Sequence, residues 1–233
     1  MQTRIIVLQS SEISQSMGAK CIARAKEFGI EAEIFNGIHG ADAHQILHDL
    51  RLRQYKSKMK GGRLGVLGCF LSHYFLWVEC VETDTPLMIL EHDAYMLRSL
   101  PDNVLDLFPD VLKLDSLDPY SKTYNKKLSE QSEEIKIWSL HDREEHGKQE
   151  HSRGLYSMGG YGYIIKPHAA AHIIEQCNMY GFRPADHQLH TTDEIDIHHI
   201  APSIVRIHED YHDLRAMKTM SLTRNLEANS LIE

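Results

Sequence analysis

The sequence predicts an α/β protein with a mostly parallel central sheet flanked by helices. Three observations carry that expectation. Residues 4–36 read as strand, helix, strand, the order of a βαβ unit whose strands lie parallel. Residues 86–90 are continuously apolar, as a strand buried on both faces must be. Between them Leu67, Phe70, Leu71, Tyr74, Phe75, Val78 and Val81 follow the i, i+3, i+4, i+7 rule of a helix with one apolar face.

The elements follow in order. Residues 4–8 are apolar and rich in β-branched side chains, and polar Gln9, Ser10 and Ser11 end them, so they form a first strand. Met17, Cys21, Ile22, Ala25 and Phe28 stand at helical spacing, and Gly29 stops that helix. In 31–35, Ala32 and Ile34 alternate with Glu31 and Glu33, a second strand that turns at Asn36-Gly37. Residues 51–64 are basic and contain glycine; the long helix begins at about Gly68. Strand 86–90 runs into Glu91-His92-Asp93, and 111–114 reads as a further strand. Residues 120–153 are rich in Lys, Glu, Ser and Gln and read as a surface insertion around one strand-like stretch, 135–138. Gly159, Gly160 and Gly162 open a strand ending at Ile165, and Pro167 starts a helix, a position proline tolerates. Acidic and His-rich residues follow Pro184, then a strand at 204–207. One domain over 1–213 and a polar tail over 214–233 are expected.

Composition narrows the class. The chain has 233 residues, and 25 Lys+Arg against 33 Asp+Glu give a net charge of −8, which offers no global attraction to nucleic acid or anionic lipid. Hydrophobic residues at 42% and charged residues at 25% exclude wholesale disorder and a polytopic membrane protein. No apolar run is expected to reach the roughly 18 residues of a membrane span, so no integral membrane segment is anticipated. The run at residues 5–8 is too short for a signal peptide, which points to a cytoplasmic protein. Cys21, Cys69, Cys80 and Cys177 form no C-x-x-C pair and are expected as free thiols. The 16 histidines are numerous, and histidine is both a common metal ligand and a near-neutral proton carrier.

Four constellations carry chemistry. Glu91-His92-Asp93 follows a strand, where open α/β sheets bind ligands. Buried carboxylates there need a partner, and a divalent cation with oxygen ligands is one. Alternation along an extended strand sends Glu91 and Asp93 to the same side. An ordinary acidic turn has the same sequence. Gly61, Gly62, Gly65 and Gly68 lead into Ser72 and His73; glycines admit a ligand close to the backbone, and a helix start attracts anions. Tight helix packing asks for the same glycines, and a core histidine is the plainer reading of His73. Asp186 and His187, with Asp193, Glu194 and Asp196 beyond, form the third group. His208-Glu209-Asp210-Tyr211-His212 is the fourth. Either supplies a base or a metal ligand, and solvated acidic turns look the same.

Taken in order, several segments carry a resemblance: strand 4–8, Phe35-Asn36-Gly37-Ile38-His39-Gly40, Gly65 to Trp77 with Gly68-Cys69 and Ser72-His73, Leu90 to Ala94, Gly160 to Ile165 with Ala169 to Ala171, and Asp186. Over roughly residues 4 to 210 they resemble glycosyltransferase family 25, the lipooligosaccharide-biosynthesis glycosyltransferases related to collagen galactosyltransferases. The resemblance implies a single GT-A-like domain acting on a nucleotide-sugar, most commonly a UDP-sugar, with a divalent metal, Mn²⁺ or Mg²⁺. It implies Asp93, with Glu91 or His92, at the metal and diphosphate, and His208 or His212 as a late-chain metal ligand. Asp186 is then the candidate base. Leu8, Gln9, Asn36, Gly37, Gly65, Gly68, Ser72 and His73 line the donor. The family has Glu-Asp-Asp where this chain has Glu91-His92-Asp93, so His92 stands as a substitute ligand or the site has one carboxylate fewer. The Arg pair common after the family's first strand is absent here.

The implied reaction is hexosyl or pentosyl transfer to an acceptor hydroxyl. The acceptor is a surface glycan, or a hydroxymethylated base of phage DNA. The basic stretch 51–63 would serve donor phosphates or DNA, and a solvated helix face has the same composition. The compartment is the bacterial or infected-host cytoplasm. No motif assigns an oligomeric state. Two other classes use the same residues: a metal-dependent phosphoester hydrolase, and an inactive nucleotide-sugar-binding module made plausible by the altered acidic motif.

Overall fold

A computed structural model describes residues 1–54, 64–115, 135–139, 160–191 and 194–208. Gly61, Gly62 and the basic residues from Lys56 to Arg63 lie outside the described residues, as do most of 120–153, Asp193, the segment from Glu209 through His212, and the tail.

The chain opens with β1 (Gln2–Val7), α1 (Glu12–Glu27) and β2 (Glu33–Asn36). Ser11 caps α1 by accepting the Ser14 N–H, which satisfies one free donor of the first turn. Gly29, at φ +74°, ends it as expected. A short 3-10 turn (Gly40–Asp42) leads into α2 (Ala43–Asp49). Then come α3 (Leu64–Glu82), β3 (Leu87–Glu91), β4 (Ala94–Met96), β5 (Val111–Lys113) and β6 (Lys136–Ser139). The described chain finishes with β7 (Gly162–Ile165), α4 (Pro167–Tyr180), α5 (Ala185–Thr191), β8 (Ile197–Ala201) and β9 (Val205–Ile207).

Seven strands form one sheet in the order β2-β1-β3-β7-β5-β8-β6. β1 is parallel to β2 and β3, and β5 is parallel to β8. β7 runs antiparallel between β3 and β5, and β6 runs antiparallel to β8 at the edge. Most strands therefore run one way, the architecture expected of a GT-A-like domain. A second, two-stranded sheet pairs β4 with β9.

Both faces of the sheet are covered, and the strand sequences show why. Leu87 and Ile89 pack toward α3 and α4 with Phe70, Leu71, Trp77 and Ile173. Their neighbours Met88 and Leu90 pack on the other face with Cys21 and Ala25 of α1 and Met96 of β4. Period-2 alternation between two cores makes an unbroken apolar run of residues 87–90. In the same way β1 sends Ile6 to one core and Ile5 and Val7 to the other.

The structure departs from the sequence expectations in four places. The long helix begins at Leu64, so Gly65 and Gly68 lie inside its first turns and not before it. By length and composition this helix could cross a bilayer, against the expectation that no run approaches a span, but most of it is buried inside the protein with Ser72 and His73 among its buried residues. β3 is parallel on one side only, because β7 beside it is antiparallel. Finally α2, β4, α5 and β8 were not anticipated. All four cysteines are free, as expected.

Candidate functional site

The carboxyl ends of β1 and β3 and one side of α3 line an open cleft. Leu8, Gly65, Ser72, His73, Glu91 and His92 line it together with Cys69 and Gly40. Six residues expected around a donor thus meet in one place. They do so because strand ends and a helix start converge at the same edge of a parallel βαβ unit.

Backbone packing brings α3 there. A Cβ added at Gly68 would lie 2.5 Å from the Ile38 carbonyl oxygen and 3.0 Å from the Gly40 nitrogen. Gly68 is therefore glycine so that the 38–40 segment can touch the helix, which is packing and not ligand contact. Ser72 secures the same seam: its hydroxyl accepts the Ile38 N–H at 2.8 Å and donates to the Gly68 carbonyl at 2.8 Å. Leu8 is held by its N–H, which donates to the Ser14 hydroxyl at 2.9 Å. Gln9 and Asn36 are exposed at the ends of β1 and β2. Gly37 is fastened to Val7 by a 2.9 Å backbone hydrogen bond. These three rim the same sheet end without lining the cleft.

The floor carries the titratable groups. His73 is fully buried; its Nδ1 lies 2.8 Å from the Tyr163 hydroxyl, which also accepts the Trp77 indole N–H at 2.9 Å. His73 Nε2 faces Glu91 Oε1 at 3.6 Å. Burial alone would raise the Glu91 carboxyl, but His73, His92 and Lys113 around it outweigh burial and hold it below the usual carboxylate value. Burial lowers His92 below the ordinary histidine range, only partly opposed by Glu91. The floor thus presents an ionised carboxylate beside a neutral imidazole. Burial, then Glu91, Asp186 and Asp93 in that order, push the Cys69 thiol well up, so three carboxylates act on one spot.

β3 ends at Glu91, and His92-Asp93 turn the chain into β4. The strand alternation expected to carry Glu91 and Asp93 to one side therefore stops short of Asp93. Asp93 is 4% exposed, and its carbonyl accepts the His208 N–H at 2.7 Å. The β4–β9 pairing sets this contact: Ala94 opposes Ile207, which carries the next residue, His208, to the acidic turn. The His208 ring packs edge-on against Tyr95. Asp186 lies in the first turn of α5, where its carboxylate accepts the His187 N–H at 2.9 Å. His212 lies outside the described residues.

By donor type Glu91 and Asp93 would bring carboxylates and His208 an imidazole to a hard divalent cation, but the structure does not gather these three around one point. Among the described residues, the three donors that lie within 4.8 Å of one another are instead Cys69, His73 and Glu91.

Several residues of this site were not singled out from sequence. Cys69 and His73 stand four apart on a helix, the spacing that places them on one face, and that signal was available. Tyr163 and Trp77 stand inside the matched segments with no role assigned to them by the sequence. Lys113, fully buried, lies 3.6 Å from Asp115, itself 1% exposed, at the end of β5. Burial pushes the Asp115 carboxyl up against the opposing pull of Lys113.

A family model described as Glycosyltransferase family 25 (LPS biosynthesis protein) matches residues 3–189, well over half of the chain. No curated protein matches the chain closely enough to count as a relative.

Proposed function

The chain belongs to glycosyltransferase family 25, and from that premise we propose that it moves a sugar from a UDP-sugar to a hydroxyl of a cell-surface glycan. The observation that carries this reading is the cleft where β1, β3 and α3 meet, lined by Glu91 and His92. Its position at strand carboxyl ends is that of ligand sites in open α/β sheets.

Asp93, with Glu91 or His92, and His208 would hold Mn²⁺ or Mg²⁺. Such an ion neutralises the charge that develops on a departing diphosphate. Leu8, Gly65 and Ser72 form the wall against which the donor lies. His73 keeps the Glu91 carboxylate in place beneath it. Asp186 takes the proton of the acceptor hydroxyl as that oxygen attacks the anomeric carbon, which passes through an oxocarbenium-like state. A glycan acceptor agrees with the family description. DNA as acceptor would draw on the basic segment 51–63, most of which lies outside the described residues. We place the reaction in the cytoplasm, where nucleotide-sugars are made.

A thermal-shift panel of UDP, GDP and CDP, with and without Mn²⁺ or Mg²⁺, tests the reading, because a ligand that binds the folded state raises its apparent stability. Stabilisation by UDP with metal, followed by sugar release from a UDP-sugar, is expected. Binding without turnover assigns the inactive module instead. Cleavage of phosphate esters without nucleotide preference assigns the hydrolase. Tight, salt-dependent binding of hydroxymethylated DNA assigns the other acceptor.

A further inference from the structure

We infer that Trp77 and Tyr163 form a buried hydrogen-bond relay that fixes the tautomer of His73, so that His73 presents an N–H to Glu91 and sets the direction of that carboxylate in the cleft. The consequence for turnover rests on the transferase reading above; the proton arrangement does not.

The direction of the relay follows from what each group can do. An indole N–H only donates, so Trp77 Nε1, 2.9 Å from Tyr163 Oη, uses one lone pair of that hydroxyl. The hydroxyl proton then needs an acceptor, and His73 Nδ1 stands 2.8 Å away. Trp77, Tyr163 and His73 are all fully buried, and an unmatched proton is costly in such a place. If His73 Nδ1 carried the proton and donated to Tyr163, the hydroxyl would receive two donors and its own proton would have neither for a partner. The bare lone pair of Nε2 would also face the ionised Glu91 Oε1, 3.6 Å away. With Tyr163 donating, Nδ1 accepts, Nε2 carries the proton, and the N–H dipole points at the carboxylate.

The geometry around the pair supports this assignment. The His73 and Tyr163 rings stack with centroids 5.7 Å apart and 20° between planes, which restrains the imidazole. Gly160 packs beside both groups: a Cβ there would come within 3.0 Å of Glu91 Oε1 and 3.6 Å of His73 Nε2. The absence of a side chain at Gly160 thus leaves the N–H and the carboxylate room to face each other. In this tautomer Nε2 has no lone pair to give, so His73 cannot act as a metal ligand beside Cys69 and Glu91. Trp77 and Tyr163 are positioning residues, acting on Glu91 through His73.

The full chain labelled with ¹⁵N-histidine tests the relay directly. Long-range ¹⁵N–¹H correlation at neutral pH, with His73 identified by its through-space contacts to the Tyr163 and Trp77 rings, should show a neutral ring protonated at Nε2. A ring protonated at Nδ1, or at both nitrogens, overturns the inference, and this measurement needs no variant. Tyr163→Phe removes only the hydroxyl. It should release the tautomer to a mixture and lower kcat/KM for the sugar donor at least tenfold, with KM for the acceptor held within twofold. A released tautomer with unchanged donor kinetics overturns the positioning role. If the unaltered protein neither binds nor turns over any nucleotide-sugar, the transferase reading fails, while the histidine spectrum still decides the relay.

Discussion

His73 Nε2 on α3 and Glu91 Oε1 at the end of β3 face each other at 3.6 Å, with Gly160 packed beside both. This pair joins the helix to the strand at the floor of the cleft, and it fixes how substitutions nearby must act.

Gly160→Ala brings a methyl to 3.0 Å from Glu91 Oε1 and 3.6 Å from the His73 ring. The carboxylate is the flexible partner and swings away, so stability changes by only ~1 kcal/mol. Donor kcat/KM should fall roughly tenfold, equivalent to about 1.4 kcal/mol of transition-state stabilisation. Wild-type kinetics in this variant would remove Glu91 from donor binding.

Gly68→Ala meets backbone, not a side-chain tip, at 2.5 Å. Neither the Ile38 carbonyl nor α3 can yield easily, so a loss of roughly 2–3 kcal/mol is expected, read as a lower urea midpoint. An unchanged midpoint would show that the seam tolerates a side chain and that the glycine serves another purpose.

Acid should weaken the fold in two stages. His92 titrates below its usual 6.5 in the folded state, so protonating it costs more there than in the unfolded chain. Its neutral form is favoured above 6.5, and stability is lost as pH falls from there toward the lowered folded value. Glu91, lowered from 4.5, adds a second loss as pH falls below 4.5 through its folded value. Melting temperature followed from pH 8 downward should show the first stage shrink in His92→Gln. An identical slope in that variant between about pH 6.5 and 5 would assign the stage to another group.

Asp186→Asn keeps shape and removes the proton acceptor. Turnover should drop about 100-fold or more, the span usual for a general base. The UDP-induced thermal shift should stay unchanged, since the acceptor-side group does not hold the donor. A normal rate would exclude Asp186 as the base.

Asp93→Ala should abolish transfer and the metal-dependent part of the UDP stabilisation while circular dichroism stays that of the folded protein. Retained transfer in Mn²⁺ would sink the metal role of this carboxylate.

The parts of this fold that bury apolar residues periodically were legible. Ile5, Ile6 and Val7, residues 87–90 and Leu67, Phe70, Leu71 and Tyr74 of the helix lie buried where their spacing put them, while Val81 at the end of that stripe is exposed, and the cleft gathers Leu8, Ser72, His73, Glu91 and His92. β8 was hidden because His198 and His199 interrupt its apolar residues; pairing with β5 and β6 builds that strand, not propensity. Three-residue β4 and seven-residue α5 are too short for a period to show. Strand direction leaves no mark on composition, so antiparallel β7 was invisible. The Tyr163 hydroxyl was invisible for another reason: alternation along β7 marks the residue as core, and only the three-dimensional meeting with Trp77 and His73 shows its polar end at work.

The pairing of β4 with β9 has a practical consequence for where the protein can be cut. The family match ends at 189, yet β8 and β9 come after it. A fragment trimmed to the recognisable stretch would strip β5 of its parallel neighbour and β4 of its only partner among the described strands, and uncover the packing sites of Ile200, Ile204 and Val205. The acidic turn, tied through Asp93 to the His208 backbone, would lose its anchor as well. The stretch that is recognisable and the stretch that folds are different lengths of chain, and expression boundaries belong beyond 208.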